Sequence, residues 1–281
     1  MPGTESTNET AGISRSVAER FVAARLAARG LTDYPGPLPA TLADAYARQD
    51  EAIAMWPDEI AGWKVGGIAD SWAVRLGESR LVGPIFRRRV WQARAGTVTA
   101  VPVIPGGFAA VEAEYVFVLA ASAPAARTEW TPTQAAELVG ELRVGIELAG
   151  SPLATINDLG PAVTVSDFGN NAGLLLGEPI ADWRSRPPES LTCETHVNDR
   201  SVGLGGAASV AGGPLAALAF ALACCARRGR PLRSGDVVST GACTGIHPIR
   251  IGEAARVAFA GAAELRCRGT RSQPAVPRPA P

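Results

Sequence analysis

The stretch Val111-Glu112-Ala113-Glu114-Tyr115-Val116-Phe117-Val118-Leu119 places two glutamates inside an otherwise apolar run. Read as a strand, it puts residues i and i+2 on one face, so Glu112 and Glu114 point the same way. With Cα atoms roughly 7 Å apart and an effective dielectric near 20, two carboxylates repel by about 2 kcal/mol, and loss of water adds several more for each. Two arrangements relieve that cost: a cation between the carboxylates, or an edge strand whose polar face stays wet.

The 281 residues, 47% hydrophobic and 19% charged, suffice to bury a substantial core as one large or two modest domains. Lysine plus arginine number 27 and acidic residues 27, so no global field draws in nucleic acid or an anionic membrane surface. The first residues lack the basic start and apolar centre of a signal peptide, and no apolar run is long enough to span a bilayer. Five cysteines without a CxxC pair fit small buried residues in a reducing, cytoplasmic setting. With only His196 and His247, a histidine-based zinc site has too few ligands, and a serine-hydrolase triad lacks its G-x-S-x-G elbow. The glycines of 203–206 loosely suggest a dinucleotide fingerprint, but Gly212, Gly213 and Pro214 stand where its helix should continue.

Along the chain, residues 1–13 and the proline-rich 270–281 have the composition of disordered tails. Residues 14–85 read as a helical N-terminal region: Val17, Phe21, Val22 and Leu26 have helical spacing, and 42–55 repeats the theme. Short apolar runs separated by Gly, Pro and Asn begin at 62–65 and 82–86 and fill a β-rich domain over 86–269. Two helices interrupt it, one behind a Thr131 N-cap with Pro132 at the first helical position, the other apolar and buried over 215–226.

A third lone acid, Glu147, lies in the strand-like run Val144-Gly145-Ile146-Glu147-Leu148-Ala149-Gly150. Three carboxylates without histidine or thiolate partners suit a hard cation, Mg²⁺ or Mn²⁺, with water or substrate oxygens completing the shell.

Several motifs now stand in order. Gly62-Trp63-Lys64-Val65-Gly66 resembles a G-x-K-x-G motif, Glu112-Ala113-Glu114 an E-x-E, and 144–150 a strand bearing a third acid. Thr164-Val165-Ser166-Asp167 resembles the lead into a substrate-side loop, and 231–241 a P-L-x-x-G-D-x-x-x-T-G turn and strand. Together, from about residue 62 to 268, they resemble the 2-hydroxypenta-2,4-dienoate (2-oxopent-4-enoate) hydratases and the related 2-oxo-3-enedioate decarboxylases of the fumarylacetoacetate hydrolase superfamily.

That resemblance implies an α+β fold, a mixed β-roll of the fumarylacetoacetate hydrolase C-terminal-domain type with a helical N-terminal extension. It implies Mg²⁺ or Mn²⁺ on Glu112, Glu114 and Glu147, a small-molecule 2-oxo acid or enol as substrate, and a homo-oligomer able to associate with a related decarboxylase or hydratase. The implied reaction is that of a hydratase, a lyase of aromatic catabolism working through an enolate. Lys64, the sole lysine of the chain, is the candidate acid/base or partner of the substrate carboxylate. Asp167 either orients water or lysine or caps a turn, and Thr240 either binds the substrate carboxylate or satisfies its own backbone.

Three positions depart from the family pattern. Leu81 or Val82 stands where an acid is expected before Gly83, Gly213 replaces a histidine ahead of Pro214, and Phe168 replaces an asparagine. The metal shell is thus retained while the residues that would handle water are altered. Hydration, decarboxylation, C–C hydrolysis, a biosynthetic isomerisation or cyclisation, and a non-catalytic partner subunit all remain open.

Overall fold

A computed structural model describes residues 15–275. In chain order the elements are α1 (Val17–Leu26), α2 (Leu42–Met55), β1 (Ile60–Gly67), α3 (Asp70–Leu76), β2 (Arg80–Phe86), β3 (Val90–Gln92), β4 (Thr99–Val103) and β5 (Phe108–Leu119). Then follow α4 (Pro132–Ala136), β6 (Val139–Ser151), α5 (Pro161–Ser166), β7 (Asn171–Pro179), β8 (Thr192–Val197) and β9 (Arg200–Gly206). Last come α6 (Pro214–Arg227), β10 (Val237–Ser239), β11 (His247–Pro248), β12 (Ala254–Phe259) and β13 (Glu264–Arg271).

Helix starts follow local chemistry. Ser16 with Glu19, Thr41 with Asp44, and Thr131 with Gln134 each form a reciprocal capping box that satisfies otherwise orphaned amides. The apolar helix α6 is buried along most of its length. Just beyond it, Arg228 turns inward to stack on Tyr46 and Trp63 while bonding Gln49 and Asp50. Among the described residues, no helix is long and apolar enough to cross a membrane.

The larger sheet runs β2-β1-β10-β5-β6-β7-β3, with β11 also pairing to β5; the second runs β4-β13-β12-β8-β9. Ile85, Val237, Val116, Leu174 and Leu176 come from β2, β10, β5 and β7 yet pack into one cluster. Strands that are not neighbours can share such a cluster only if the sheet rolls around it, which gives the mixed β-roll. By strand alternation Val116 shares its face with Glu112 and Glu114, so the two acids project into the interior of the roll. Their strand is central, flanked by β6 on one side and by β10 and β11 on the other, which removes the wet-edge alternative. The opposite face of β5, with Ala113, Tyr115 and Phe117, packs into the main core beside α6 and the second sheet.

Two boundaries differ from the sequence reading. The helical N-terminal stretch ends at Met55, because β1 and β2 belong to the rolled sheet: β1 pairs in parallel with β10 and antiparallel with β2. The residue pattern after Trp63 carries that signal, but a boundary at 85 cuts through it. At the other end β13 pairs with β4 through Arg271, and the Ala275 amide donates to the Leu26 carbonyl, so the ordered chain continues past 270. The expected tails at 1–13 and 276–281 lie outside the described residues.

One contact fixes a segment above the roll. A Cβ at Gly83 would lie 2.1 Å from the Phe168 carbonyl oxygen, so β2 and residues 168–169 touch backbone to backbone. Gly83→Ala is therefore expected to cost about 1–3 kcal/mol in denaturant unfolding, whereas an unchanged midpoint would show that this contact is not maintained.

Candidate metal centre

The hairpin of β5 and β6 sets Glu112 directly opposite Glu147 and Glu114 opposite Gly145. Carboxylate oxygens of all three glutamates lie within 4.8 Å of one another. Lys64 arrives from β1, whose register places it level with Ser239 of β10, and its Nζ stands 3.2 Å from Glu147 Oε1. The site is enclosed: Glu114 and Glu147 are 0% exposed, Glu112 4% and Lys64 5%.

Neighbouring groups aim several of the oxygens. Asn171 Nδ2 donates to Glu147 Oε1 at 3.0 Å, the Gly241 amide donates to Glu114 Oε2 at 2.8 Å, and the Ser239 hydroxyl donates to the same Oε2. Among the described residues, Glu114 Oε1 and Glu147 Oε2 are buried without a hydrogen-bond partner. Orphaned buried carboxylate oxygens are costly, and a cation is the partner their chemistry accepts. Three carboxylates against one ammonium leave two negative charges, which one divalent ion would balance. The oxygen-only donor set fits Mg²⁺ or Mn²⁺.

The proton affinities record the same crowding. Burial, partly offset by Lys64 and reinforced by Glu147, raises Glu112 from 4.5 to about 7. Burial and the two neighbouring carboxylates push Glu114 well above its ordinary range. For Lys64 burial acts to lower the value, but Glu147, Glu112 and Glu114 outweigh it and hold the ammonium above its usual range. Without a cation on the glutamates, these carboxylates keep Lys64 charged.

The other expected residues lie elsewhere. Asp167 is held by Arg25 of α1 in a two-pronged pair, Nε to Oδ1 at 2.5 Å and Nη2 to Oδ2 at 2.9 Å, and Oδ2 also accepts from Ser151 Oγ at 2.6 Å. Thr240 Oγ1 donates to the Tyr115 carbonyl at 2.7 Å, the backbone-satisfying alternative, while its neighbours Ser239 and Gly241 contact Glu114. The segment expected as a substrate-side loop forms α5 and a tight turn in which Phe168, Gly169 and Asn170 all take positive φ. A left-handed phenylalanine is uncommon; Trp56 and Phe86 wedge its ring edge-on while the Phe168 carbonyl lies against Gly83. Leu81 stands beside the ammonium: a Cβ on Gly66 would have Leu81 at 3.3 Å and Lys64 Nζ at 3.6 Å. Neither His196, paired with Glu194, nor His247, bonded to Thr244, joins the glutamates.

Sequence reasoning missed Asn171, Ser239, Gly241, Arg25 and Ser151. Ser239 alone left a local signal, since it precedes Thr240 and the strand period turns adjacent residues to opposite faces. The rest reach the site through contacts with partners far along the chain, such as the 142 positions between Arg25 and Asp167.

No protein-family model and no curated protein sequence matches this chain. Solved structures do. The 4-oxalocrotonate decarboxylase from Pseudomonas putida G7, complexed with calcium and acetate, aligns at TM-score 0.73 and 21% identity, covering 90% of this chain and 95% of that one. The same enzyme with magnesium and adipate gives 0.72 and 22%, with the same coverage. The 5-carboxymethyl-2-hydroxymuconate delta-isomerase from Mycobacterium smegmatis aligns at 0.54 and 16% identity, covering 76% and 81%. These likenesses establish the fold: an α+β roll of the fumarylacetoacetate hydrolase type.

Linkage gives a check on the carboxylate cluster. With Glu112 raised from 4.5 to about 7, the folded state binds the extra proton across that window. Stability contributed at this position therefore falls as pH rises from 4.5 to about 7. In chelator-treated protein the wild type should lose stability relative to Glu112→Gln over that range; parallel denaturation midpoints would contradict the assignment.

Proposed function

We propose that the protein is a divalent-metal-dependent lyase acting on a 2-oxo acid, and that the metal is Mg²⁺ or Mn²⁺ held by Glu112, Glu114 and Glu147. One observation carries the reading: three buried carboxylates converge with two unpartnered oxygens beside a charged lysine. The likeness to a decarboxylase complexed with magnesium supports the ion class, and the fumarylpyruvate hydrolase from Pseudomonas aeruginosa, of similar fold at TM-score 0.51, is complexed with Mn²⁺ and pyruvate. When bound, such an ion supplies Lewis-acid stabilisation of negative charge developing on a 2-oxo group.

The chain's own residues divide the remaining work. Lys64 holds positive charge at the site and pairs with the substrate carboxylate. Ser239 and the Gly241 amide fix one oxygen of Glu114, and Asn171 fixes one of Glu147, leaving the other oxygens as those that would hold the ion. Leu81, packed with Leu42, Ile68 and Val165, keeps the side of the ammonium dry.

That last feature favours decarboxylation over hydration. Addition of water across a conjugated double bond needs a base to take the water proton. At the position where the resembling hydratases carry an acid there is Leu81, and Asp167 spends both oxygens on Arg25 and Ser151. Loss of CO₂ needs no such base: the C–C electron pair passes through the conjugated chain into the 2-oxo group, and the resulting enolate is protonated afterwards. The proposed substrate is thus a 2-oxo acid whose second carboxylate sits on the saturated carbon next to the far end of the conjugated enone, so that the breaking C–C bond overlaps the conjugated system.

Incubation of 4-oxalocrotonate and, separately, 2-hydroxypenta-2,4-dienoate with the Mg²⁺- or Mn²⁺-loaded protein tests this directly. CO₂ release from the first without accelerated loss of the second is expected, and the reverse pattern would restore the hydratase. Glu114→Gln should weaken Mg²⁺ or Mn²⁺ binding in calorimetry by at least ~10-fold; unchanged affinity would remove the metal from the proposal.

A further inference from the structure

We propose that Cys193 and Cys243 form a reversible disulfide on exposure to hydrogen peroxide, and that the bond loosens the loop holding Glu114. The five cysteines of the chain are free thiols. Strand register brings these two together from distant parts of the sequence. Cys193 lies on β8 opposite Gly205 of β9. A Cβ on Gly205 would fall 1.9 Å from the Cys243 carbonyl oxygen, so the missing side chain lets the loop after β10 lie directly against this strand pair. Two residues further along the same face of β8, Thr195 Oγ1 hydrogen-bonds Thr244 Oγ1 at 2.8 Å. The neighbouring thiols repeat that pairing, and Cys193 and Cys243 share a hydrogen bond within the main core.

The pair is chemically asymmetric. The hydrogen bond with Cys243 lowers the thiol of Cys193 against the opposing effect of burial, whereas the same bond and burial raise Cys243. Oxidation needs that order, with a thiolate first and a resolving thiol second. The Cys193 thiolate attacks one peroxide oxygen, the O–O bond breaks, and the departing hydroxide takes up the thiol proton, leaving a sulfenic acid and one water. Cys243 sulfur then attacks Cys193 sulfur, the S–O bond breaks, and the leaving hydroxide joins the Cys243 proton as a second water. Each sulfur gives up one electron, and the peroxide takes both. Access comes from the side of β9, the edge strand of its sheet, whose Gly203, Gly205 and Gly206 lay no side chains over β8 and whose local opening uncovers Cys193.

Cys243 is tied to the acid cluster. Its amide donates at 2.8 Å to the carbonyl of Ala113, the residue between Glu112 and Glu114, and two positions earlier the Gly241 amide holds Glu114 Oε2 at 2.8 Å. A covalent S–S separation of about 2.05 Å is shorter than a hydrogen-bonded one, so the disulfide draws Cys243 toward β8 and away from β5. Through Gly241 that movement loosens Glu114; the consequence for metal affinity, unlike the disulfide itself, rests on the proposed assignment of the three glutamates as ligands.

Reduced full-length protein is treated with a few equivalents of hydrogen peroxide, its remaining thiols are alkylated in denaturant, and linked peptides are mapped by mass spectrometry. A Cys193–Cys243 cross-link, lighter by two hydrogen atoms than the separate thiol peptides and cleaved by dithiothreitol, is expected in the wild type and in Cys267→Ala. Cys193→Ala and Cys243→Ala, each checked for folding by circular dichroism, should lack it. In calorimetry, Mn²⁺ should bind the oxidised wild type at least ~5-fold more weakly than the reduced protein, and dithiothreitol should restore the affinity. Neither alanine variant should respond to peroxide in this way. No cross-link, or linkage of Cys193 and Cys243 to the other cysteines at equal yield, would overturn the pair. A cross-link with unchanged Mn²⁺ affinity would overturn the coupling to Glu114, and no Mn²⁺ binding by the reduced protein would overturn the metal assignment while the disulfide stands.

Discussion

Burying three carboxylates and one ammonium inside the β-roll is the constraint on which the rest of the structure depends. Each charge alone would shed its ionisation at such a depth. Lys64 lies 3.2 Å from Glu147, and the Glu112 value of about 7 shows that one lysine does not suffice. The surrounding backbone is organised to tolerate what remains. The Gly241 amide and the Ser239 hydroxyl serve one oxygen of Glu114 and Asn171 serves one of Glu147, while the second oxygen of each has no hydrogen-bond partner among the described residues. A cluster of this kind would be preorganised for a divalent ion, because the desolvation cost is met during folding rather than on binding.

A second charged pair holds the roof over that centre. Arg25 reaches from α1 to Asp167 and to the carbonyls of Gly150 and Asn171, binding the N-terminal helix to β6 and β7 with one side chain. The turn that follows Asp167 keeps three consecutive residues at positive φ, and Phe168 is locked there between Arg25, Trp56 and Phe86. The N-terminal helices are therefore part of the site's architecture, since they supply both the arginine and the aromatic wedge. This accounts for Asp167 as a residue that positions neighbouring chain.

The elements read best from sequence are those whose signals are local. The apolar spacing of Val17, Phe21, Val22 and Leu26 marks α1, the Thr131 cap with Pro132 marks the start of α4, and the apolar run of α6 announces its own burial. The boundary at residue 85 cuts through the roll because β1 and β2, though strand-like in sequence, follow two helices and enclose a third, α3. Their pairing with β10 and with each other makes them part of the roll.

By itself the sequence determined that Glu112 and Glu114 share a face, that Glu147 lies in a second apolar strand, and that the chain's single lysine sits in a glycine-flanked strand. Strand alternation is a period of two residues and needs no knowledge of distant chain. Tertiary structure alone decided that Glu147 stands opposite Glu112, that Lys64 arrives by way of β10, and that Asn171 and Arg25 complete the surroundings. It also decided against the wet edge, by making β5 a central strand of a rolled sheet. Register and roll closure are set by contacts between segments far apart in the chain, and their energies belong to no single stretch of residues.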